Sequence, residues 1–428
     1  MKLELILPKK RDVKMMGRAG CPPLGLGIVA ALTPNDVDVS LTDERISVIN
    51  FQKDTDLVGI SALTTTAPRA YAIADSFRAR GVKVVLGGVH PSILPEEAGH
   101  HADAVVVGEA EGVWAKVIED FKAGRLRKIY TQEKPPNLIG WPSPRRDLFA
   151  KSGYFLKTVM STSRGCPFPC SFCSVPALYG RRYRFRSVDE IRQEFDSFKG
   201  GKFMFIYDDN IVGKFKFAKE LFRALIPYKK KWIAQASINV AKDDGLLALA
   251  AASGCMELLI GFESISPTVI DSIGKRQNTI EEYEEAVRKI HSYGIAVHGF
   301  FIFGFDQDDA SVFESTVNFC RKIKLDTAAF SVLVPYPGTS LHQSLSNEGR
   351  ILTKDWSQYD DVVFEPKQMS VETLRQGVDW AWREFFKLPS IWGRLSRRAP
   401  TLPTFLLWLA NLYVMTRYMP KRAVRMGL

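Results

Sequence analysis

The sequence predicts an α/β protein of two units with a helical C-terminal extension. Three observations carry that reading. Short apolar runs alternate with helical patterns in two successive series. A proline-rich break separates the series, and a helical pattern followed by a basic, partly apolar tail closes the chain. The length of 428 residues allows two or three domains at roughly 150 residues each. Hydrophobic residues at 46% and charged residues at 25% exclude a disordered, collagen-like or coiled-coil chain.

In the first series, residues 3–7, 37–41, 57–61, 82–86 and 104–107 read as strands. Their short length and β-branched content suit a parallel sheet buried on both faces. Helices are expected over residues 69–80 and 113–123. Gly87-Gly88 and Gly108-Glu109 follow strands, where ligands bind in open α/β sheets. Residues 133–147 hold Pro135, Pro136, Pro142 and Pro144, which make a poor element and a good linker. The expected organisation is an α/β domain at 1–132, a linker at 133–152, a second α/β domain at 153–340 and a C-terminal region at 341–428.

In the second series the expected strands are residues 157–162, 203–207, 232–236, 257–261, 296–303 and 328–334. Six β/α units suit a partly closed barrel. Ser187 with Glu190 and Thr279 with Glu282 read as capping boxes, and Gly294 as a helix C-cap. A helix is expected over residues 370–387, carrying Trp380 and Trp382.

The net charge of +11 is uneven. Residues 385–428 contain eight basic and no acidic residues, which leaves +3 for the rest. That argues against a protein-wide nucleic-acid surface and for a tail with an anionic partner. Within the tail, residues 402–415 are mostly apolar but too short to span a bilayer. They read either as an interfacial membrane segment or as a packed helix with a basic face. Six cysteines are not a disulfide framework, no run of 20 apolar residues exists, and residues 1–4 do not resemble a secretion signal. The expected compartment is the cytoplasm, with contact at a membrane surface through the tail.

Three of the six cysteines, Cys166, Cys170 and Cys173, fall in Arg164-Gly-Cys-Pro-Phe-Pro-Cys-Ser-Phe-Cys173. Soft thiolates at such spacing select zinc or iron–sulfur. A structural zinc needs four protein ligands. No histidine lies between His101 and His291, and Cys21, Cys255 and Cys320 are isolated. Three ligands leave one metal position open for a substrate.

This C-x3-C-x-aromatic-C loop resembles the radical S-adenosylmethionine (SAM) superfamily. The resemblance implies a 4Fe–4S cluster on Cys166, Cys170 and Cys173. SAM would chelate the open iron and, on one-electron reduction, yield a 5′-deoxyadenosyl radical. It implies Phe172 near the adenine, Asp208 and Asp209 as acceptors for the SAM amine, and Gln235 and Ser237 near its carboxylate or ribose. Glu263 would point into the barrel, Gly304 would face the adenine, and Val334 would pair with it through the backbone. His298 is expected to pack rather than bind metal.

The N-terminal segments Pro22-Pro-Leu-Gly-Leu-Gly27, Gly87-Gly-Val-His-Pro91 and Val107-Gly-Glu-Ala-Glu111 resemble the cobalamin-binding branch of that superfamily. The implied fold is a flavodoxin- or Rossmann-like cobalamin-type domain joined to a partial (β/α)6 radical SAM barrel. Gly87, Gly88 and His90 are its candidate cofactor residues. The module's D-x-H-x-x-G loop is replaced by Asp43-Glu-Arg-Ile-Ser-Val48, so no histidine stands where the lower cobalt ligand would be. His100 and His101 read as exposed loop residues. The implied activity is foremost cobalamin-dependent methyl transfer to an unactivated carbon of a small, hydrophobic molecule. The implied electron donor is a flavodoxin or ferredoxin. A cobalamin-free radical cyclase, dehydrogenase or rearrangement enzyme, a methylthiotransferase, and a non-enzymatic iron–sulfur sensor stand as alternatives. Against the methylthiotransferase, only Cys21 lies in the N-terminal unit, so no second three-cysteine loop is present there.

Overall fold

The computed structural model describes residues 1–10, 19–132, 134–150, 152–198, 201–396 and 402–418. Lys151 and the tail cations Arg397, Arg398, Lys421, Arg422 and Arg425 lie outside the described residues, as does Glu133 of the expected linker.

The first sheet runs β1 (Lys2–Leu7), β2 (Asp38–Asp43), β3 (Leu57–Ser61), β4 (Lys83–Gly87), β5 (Ala104–Val107) and β6 (Ile129–Thr131). Its strand order is β2-β1-β3-β4-β5-β6, with every pair parallel. The period of two along each strand sends alternate side chains to opposite layers. Val58, Ile60, Val84, Leu86 and Val105 pack on one face, and Leu3, Leu5, Leu57, Val85 and Val106 on the other. Both faces are apolar, which is why these strands read as continuous hydrophobic runs. β6 was not expected; three residues with alternating exposure are too short for a sequence signal.

The second unit holds β7 (Val159–Met160), a hairpin of β8 (Ser163–Arg164) and β9 (Arg184–Phe185), then β10 (Phe203–Ile206), β11 (Lys231–Ala236), β12 (Cys255–Glu263), β13 (Ala296–Phe303) and β14 (Thr327–Val332). Six parallel strands run β14-β13-β12-β11-β10-β7, leaving two open edges, and helices cover the outside of this partial barrel. The strand expected over 157–162 shrinks to two residues, because the chain leaves the sheet to form the hairpin. Ser187 and Glu190 form the expected capping box. Thr279 makes no cap hydrogen bond. A 3₁₀ turn over Ile280–Glu282 leads into the helix Tyr283–Ser292 instead, and Gly294 follows it at φ +75°.

The helix Val371–Phe385 lies on the open edge. Its buried Trp382 donates from Nε1 to the Phe330 carbonyl on β14 at 2.6 Å. The helices Leu388–Leu395 and Leu402–Tyr413 follow. Arg394 is buried and donates to the carbonyls of Leu325 (2.8 Å), Asp326 (2.7 Å) and Phe385 (3.1 Å) and to Asn411 Oδ1 (3.0 Å). Asn411 is fully buried, and Leu407 joins a small core with Ala296, Ile391 and Leu395. One face of the tail helix is therefore packed onto the barrel, and Arg394 is a structural pin rather than a surface charge.

Candidate active site

Every candidate residue of the barrel stands at the carboxyl end of a strand, because a parallel β/α sheet collects its loops on that edge. The three-cysteine loop hangs from the β8–β9 hairpin. Gly165 begins it at φ +84°, and an added Cβ would lie 2.1 Å from the Arg182 carbonyl oxygen, so only glycine fits. Asp209 accepts from the Gly165 amide at 2.8 Å and fixes the turn. The loop ends at Cys173, which caps the helix Ser174–Tyr179.

The donor set fits an iron–sulfur cluster. The three thiols are half-buried, and burial pushes each up, Cys173 to about 12. The thiols of Cys166 and Cys170 add to the rise at Cys173, so the three sulfurs share one electrostatic neighbourhood. A metal centre would draw off these protons. Among the described residues no three His, Cys, Asp or Glu side chains form a cage for a single ion.

The structure sorts the other residues into three groups. Glu263 lies beside the loop, Gly304 precedes Phe305, which meets Phe172 of the loop, and Val334 follows β14. Glu263 ends β12 at φ +64° and is ion-paired to Lys275, with both side chains no more than 10% exposed. Burial alone would push the Lys275 ammonium down, but Glu263, Cys170 and Cys173 outweigh it and push it up. Gly304 turns at φ +104°, and its amide and that of Phe305 both donate to Asp308 at 3.0 Å. Phe172 meets Phe305 edge-on at 6.3 Å, and Val334 is half-buried after β14. Gln235 is exposed at the end of β11.

A second group is turned to structural work, which corrects the expectation. Asp208 is 2% exposed and accepts from the amides of Thr162 (2.7 Å) and Ser163 (3.0 Å), from Ser163 Oγ (2.7 Å) and from Thr162 Oγ1. Its oxygens are saturated by the crossover between β7 and β8, so it has no acceptor capacity left for a SAM amine. Ser237 is buried against Asn210, whose Oδ1 accepts from the Ser237 amide at 3.1 Å. His90 is fully buried, with Nε2 3.1 Å from Glu97 Oε1 and Nδ1 3.4 Å from Thr64 Oγ1, and Trp356 stacks edge-on at 5.2 Å. Trp356 and Tyr71 also donate to Glu97. Burial would push this carboxyl up, but the donors outweigh it and hold it at about 2. His90 thus belongs to a closed network rather than to a cofactor cleft. His101 lies in the helix Pro95–His101, stacked on Tyr71 at 4.3 Å and paired with Asp75 at 2.8 Å, not on a loop. His298 packs as expected. Its Nδ1 lies 2.7 Å from Thr327 Oγ1, and burial lowers it to about 4.

A third group was missed. Asn210 Nδ2 points at Cys166 Sγ from 4.0 Å, and the Gln277 side chain lies near Cys170. Lys275 and Gln277 follow the short helix Pro267–Ser272, beyond Glu263, and nothing in the sequence around them signals a site.

The carboxyl edge of the first sheet faces this site. Tyr154, just before β7, donates to Asp43 at the end of β2 at 3.1 Å, and Arg164 reaches Glu109 after β5 at 2.7 Å. Arg45 is held by Asp43 (2.9 and 2.6 Å) and by the Cys21 carbonyl (2.9 Å). Tyr207, after β10, is 59% exposed, yet burial pushes its hydroxyl up and it feels Cys21, Arg45 and Asp209. It stands where the two units face each other, near Cys21 and Arg45 of the first and Asp209 of the second. Gly88 narrows the first edge: at φ +94°, a Cβ there would lie 2.8 Å from the Ala62 carbonyl oxygen.

The fold and this site define a radical SAM barrel facing a B12-type domain. The Radical SAM superfamily model matches residues 160–320, and the B12 binding domain model matches residues 18–118. The chain is 32% identical to the bacteriochlorophyllide d C-12(1)-methyltransferase of Chlorobaculum tepidum, over 99% of this chain and 95% of that one. It is 31% identical to the C-8(2)-methyltransferase of the same organism, over 84% and 86%. The solved structure of the radical SAM methyltransferase TsrM from Kitasatospora setae, with cobalamin and a [4Fe-4S] cluster bound, superposes with a TM-score of 0.68 at 18% identity. It covers 81% of this chain and 78% of that one. The chain belongs to the cobalamin-binding radical SAM methyltransferases. It is an enzyme that uses SAM, a 4Fe–4S cluster and cobalamin on a small-molecule substrate. Among the described residues no helix is long and apolar enough to cross a membrane.

Proposed function

We propose that this enzyme transfers the methyl group of SAM to an unactivated carbon on the periphery of a hydrophobic, tetrapyrrole-class molecule. The observation that carries the reading is the facing of two carboxyl edges, one bearing the three-cysteine loop and the other belonging to the B12-type domain. When bound, the cluster supplies the electron that cleaves SAM, and cobalamin supplies the methyl carrier. Cys166, Cys170 and Cys173 hold the cluster. Asp209 and Asn210 fix the loop, Glu263 and Gln235 orient the polar end of SAM, and Phe172, Gly304 and Val334 border its base. Gly87 and Gly88 would shape the edge for cobalamin, and residues 43–48, with Arg45 held by Asp43, would offer that group no histidine. The two Chlorobaculum tepidum relatives are named for methylation of bacteriochlorophyllide d, which supports the substrate class. The test is anaerobic incubation of protein reconstituted with iron, sulfide and cobalamin, with methyl-deuterated SAM, a reductant and bacteriochlorophyllides. One labelled methyl should appear in the product, and none with Cys166, Cys170 and Cys173 replaced by alanine. SAM cleavage giving a ring-closed or dehydrogenated product without label would establish the cyclase or dehydrogenase alternative.

The electron donor in this reading is a flavodoxin or ferredoxin. Phe168, Pro169, Arg181, Gly274, Arg276 and Gln277 line an open recess beside the cysteine loop, and its exposed arginines suit an acidic partner. The tail in this reading both packs and touches anionic membranes. Phe405, Leu409 and Tyr413 recur every fourth residue and are 59%, 46% and 54% exposed, beside Leu388 and Trp392 at 55% and 66%. An exposed apolar patch within a stretch of basic residues suits a lipid surface that holds a hydrophobic substrate.

A further inference from the structure

The segment Val107-Gly-Glu-Ala-Glu111 lies at the carboxyl edge of the first sheet, yet its two carboxylates turn toward the barrel. Glu109 Oε2 accepts from Arg164 Nη1 at 2.7 Å and from Arg184 Nη1 at 3.2 Å. Its other oxygen pairs with Arg184 Nη2, and Glu111 pairs with Arg164. All four side chains are buried or nearly so, at 6% and 5% for the glutamates and 18% and 14% for the arginines. Arg184 also donates to the Pro136 carbonyl at 2.8 Å, and Arg164 lies over the Trp141 ring at 5.6 Å. Two cations and two anions thus neutralise each other across the junction of the two units.

The arginines occupy a particular place. Arg164 and Arg184 are paired partners in the β8–β9 hairpin, and Gly165 alone separates Arg164 from Cys166. The hairpin has only two residues in each strand and does not join the barrel sheet. Its orientation therefore depends on side chains: Asp208 and Asp209 from the barrel, and Glu109 and Glu111 from the B12-type domain. Gly108, at φ +83°, aims the glutamates out of their own sheet.

We propose that Glu109 and Glu111 are positioning residues through which the N-terminal domain sets the cluster loop where the two units face each other. The loop's place is decided jointly by both units, so a change at the first sheet's edge is felt at the site where SAM binds. This rests on the cluster and SAM assignment but not on the substrate or on methyl transfer.

The test uses full-length protein reconstituted anaerobically with iron and sulfide, comparing Glu111→Gln and Arg164→Lys with Glu194→Gln. Glu194 is an equally buried carboxylate, held by Arg146 and Arg186 outside the loop. It controls for loss of a buried ion pair as such. The readouts are iron per chain, the electron paramagnetic resonance spectrum of the reduced cluster before and after SAM, and the Kd for SAM. Both loop variants should keep their iron but show a diminished SAM-induced spectral change. Their Kd for SAM should be raised about tenfold, the lower end of what outer partners of a metal site contribute. Glu194→Gln should leave spectrum and Kd unchanged. Arg164→Lys keeps the charge but loses the fork, so it reports geometry even if Glu111→Gln folds poorly. If both loop variants match Glu194→Gln in spectrum and affinity, the glutamates are structural only and the proposal is overturned. A wild-type protein without a cluster signal would instead overturn the cluster assignment.

Discussion

Replacing Lys275 by methionine probes the electrostatics around the cysteine loop. The ammonium and the Glu263 carboxylate form one ion pair, with side-chain exposures of 10% and 9%. Methionine preserves the length of the stem and leaves the carboxylate buried without its cation. Gly261 packs so closely there that an added Cβ would lie 2.8 Å from Lys275 Nζ and nearer still to Glu263, so the carboxylate has little room to swing toward water. Removing one partner of a buried pair costs about 3–5 kcal/mol, which is roughly two to four powers of ten in the folded-to-unfolded ratio. Removing both with well-fitting neutral groups is nearly neutral, so Lys275→Met with Glu263→Gln should recover most of the loss. Urea unfolding of the cluster-free protein at pH 7.5, followed by tryptophan fluorescence, measures this. The reasoning is refuted if the single variant falls within about 0.5 kcal/mol of wild type, the range of an inconsequential surface change. A double variant worse than the single would refute it equally. The pH sign agrees with the choice of condition. The folded value of Lys275 is raised, so its contribution is complete below the ordinary lysine value and is lost only as pH rises above it.

Three further outcomes are expected. Asp308 is 3% exposed and burial pushes it up from 3.8 to about 6, so the folded state binds the extra proton and stability falls as pH climbs from about 4 to about 6. Asp308→Asn keeps an acceptor for the Gly304 and Phe305 amides. It should gain about 1–3 kcal/mol relative to wild type between pH 4 and pH 7 in urea titrations, and a pH-independent difference would contradict this. In protein uniformly labelled with ¹⁵N and loaded with cob(II)alamin, the resonance spectrum should match that of unlabelled protein, because residues 43–48 offer no histidine and His90 is enclosed. A changed superhyperfine pattern would show a protein nitrogen on cobalt. Replacing Phe405, Leu409 and Tyr413 together by serine should lower co-sedimentation with anionic vesicles at low salt without unfolding the protein. Equal sedimentation of wild type and variant would remove that face as a membrane contact.

The cysteine loop was legible in the sequence because its ligands lie close together along the chain and the chemistry of three soft thiolates depends on spacing alone. The two sheets were legible because each strand carries its own apolar run, buried on both faces whatever its neighbours are. The polar residues at strand ends were not. Asp208, Gln235 and Glu263 look alike in a sequence, but Asp208 has five donor contacts around it. Gln235 is exposed, and Glu263 takes its lysine from beyond the following helix. His90 was misplaced for the same reason: a histidine after a glycine turn can face a cleft or be closed over, and Glu97 and Trp356 close it. The packed face of the tail was not legible either, because residue type fixes its amphipathic character while only the contacts of Arg394 and Asn411 decide which face is packed. Glu109 and Glu111 find their arginines in the other unit, on a hairpin far along the chain. A lone pair is satisfied by whatever donor the fold brings within about 3 Å, and that is a property of tertiary distance rather than of sequence order.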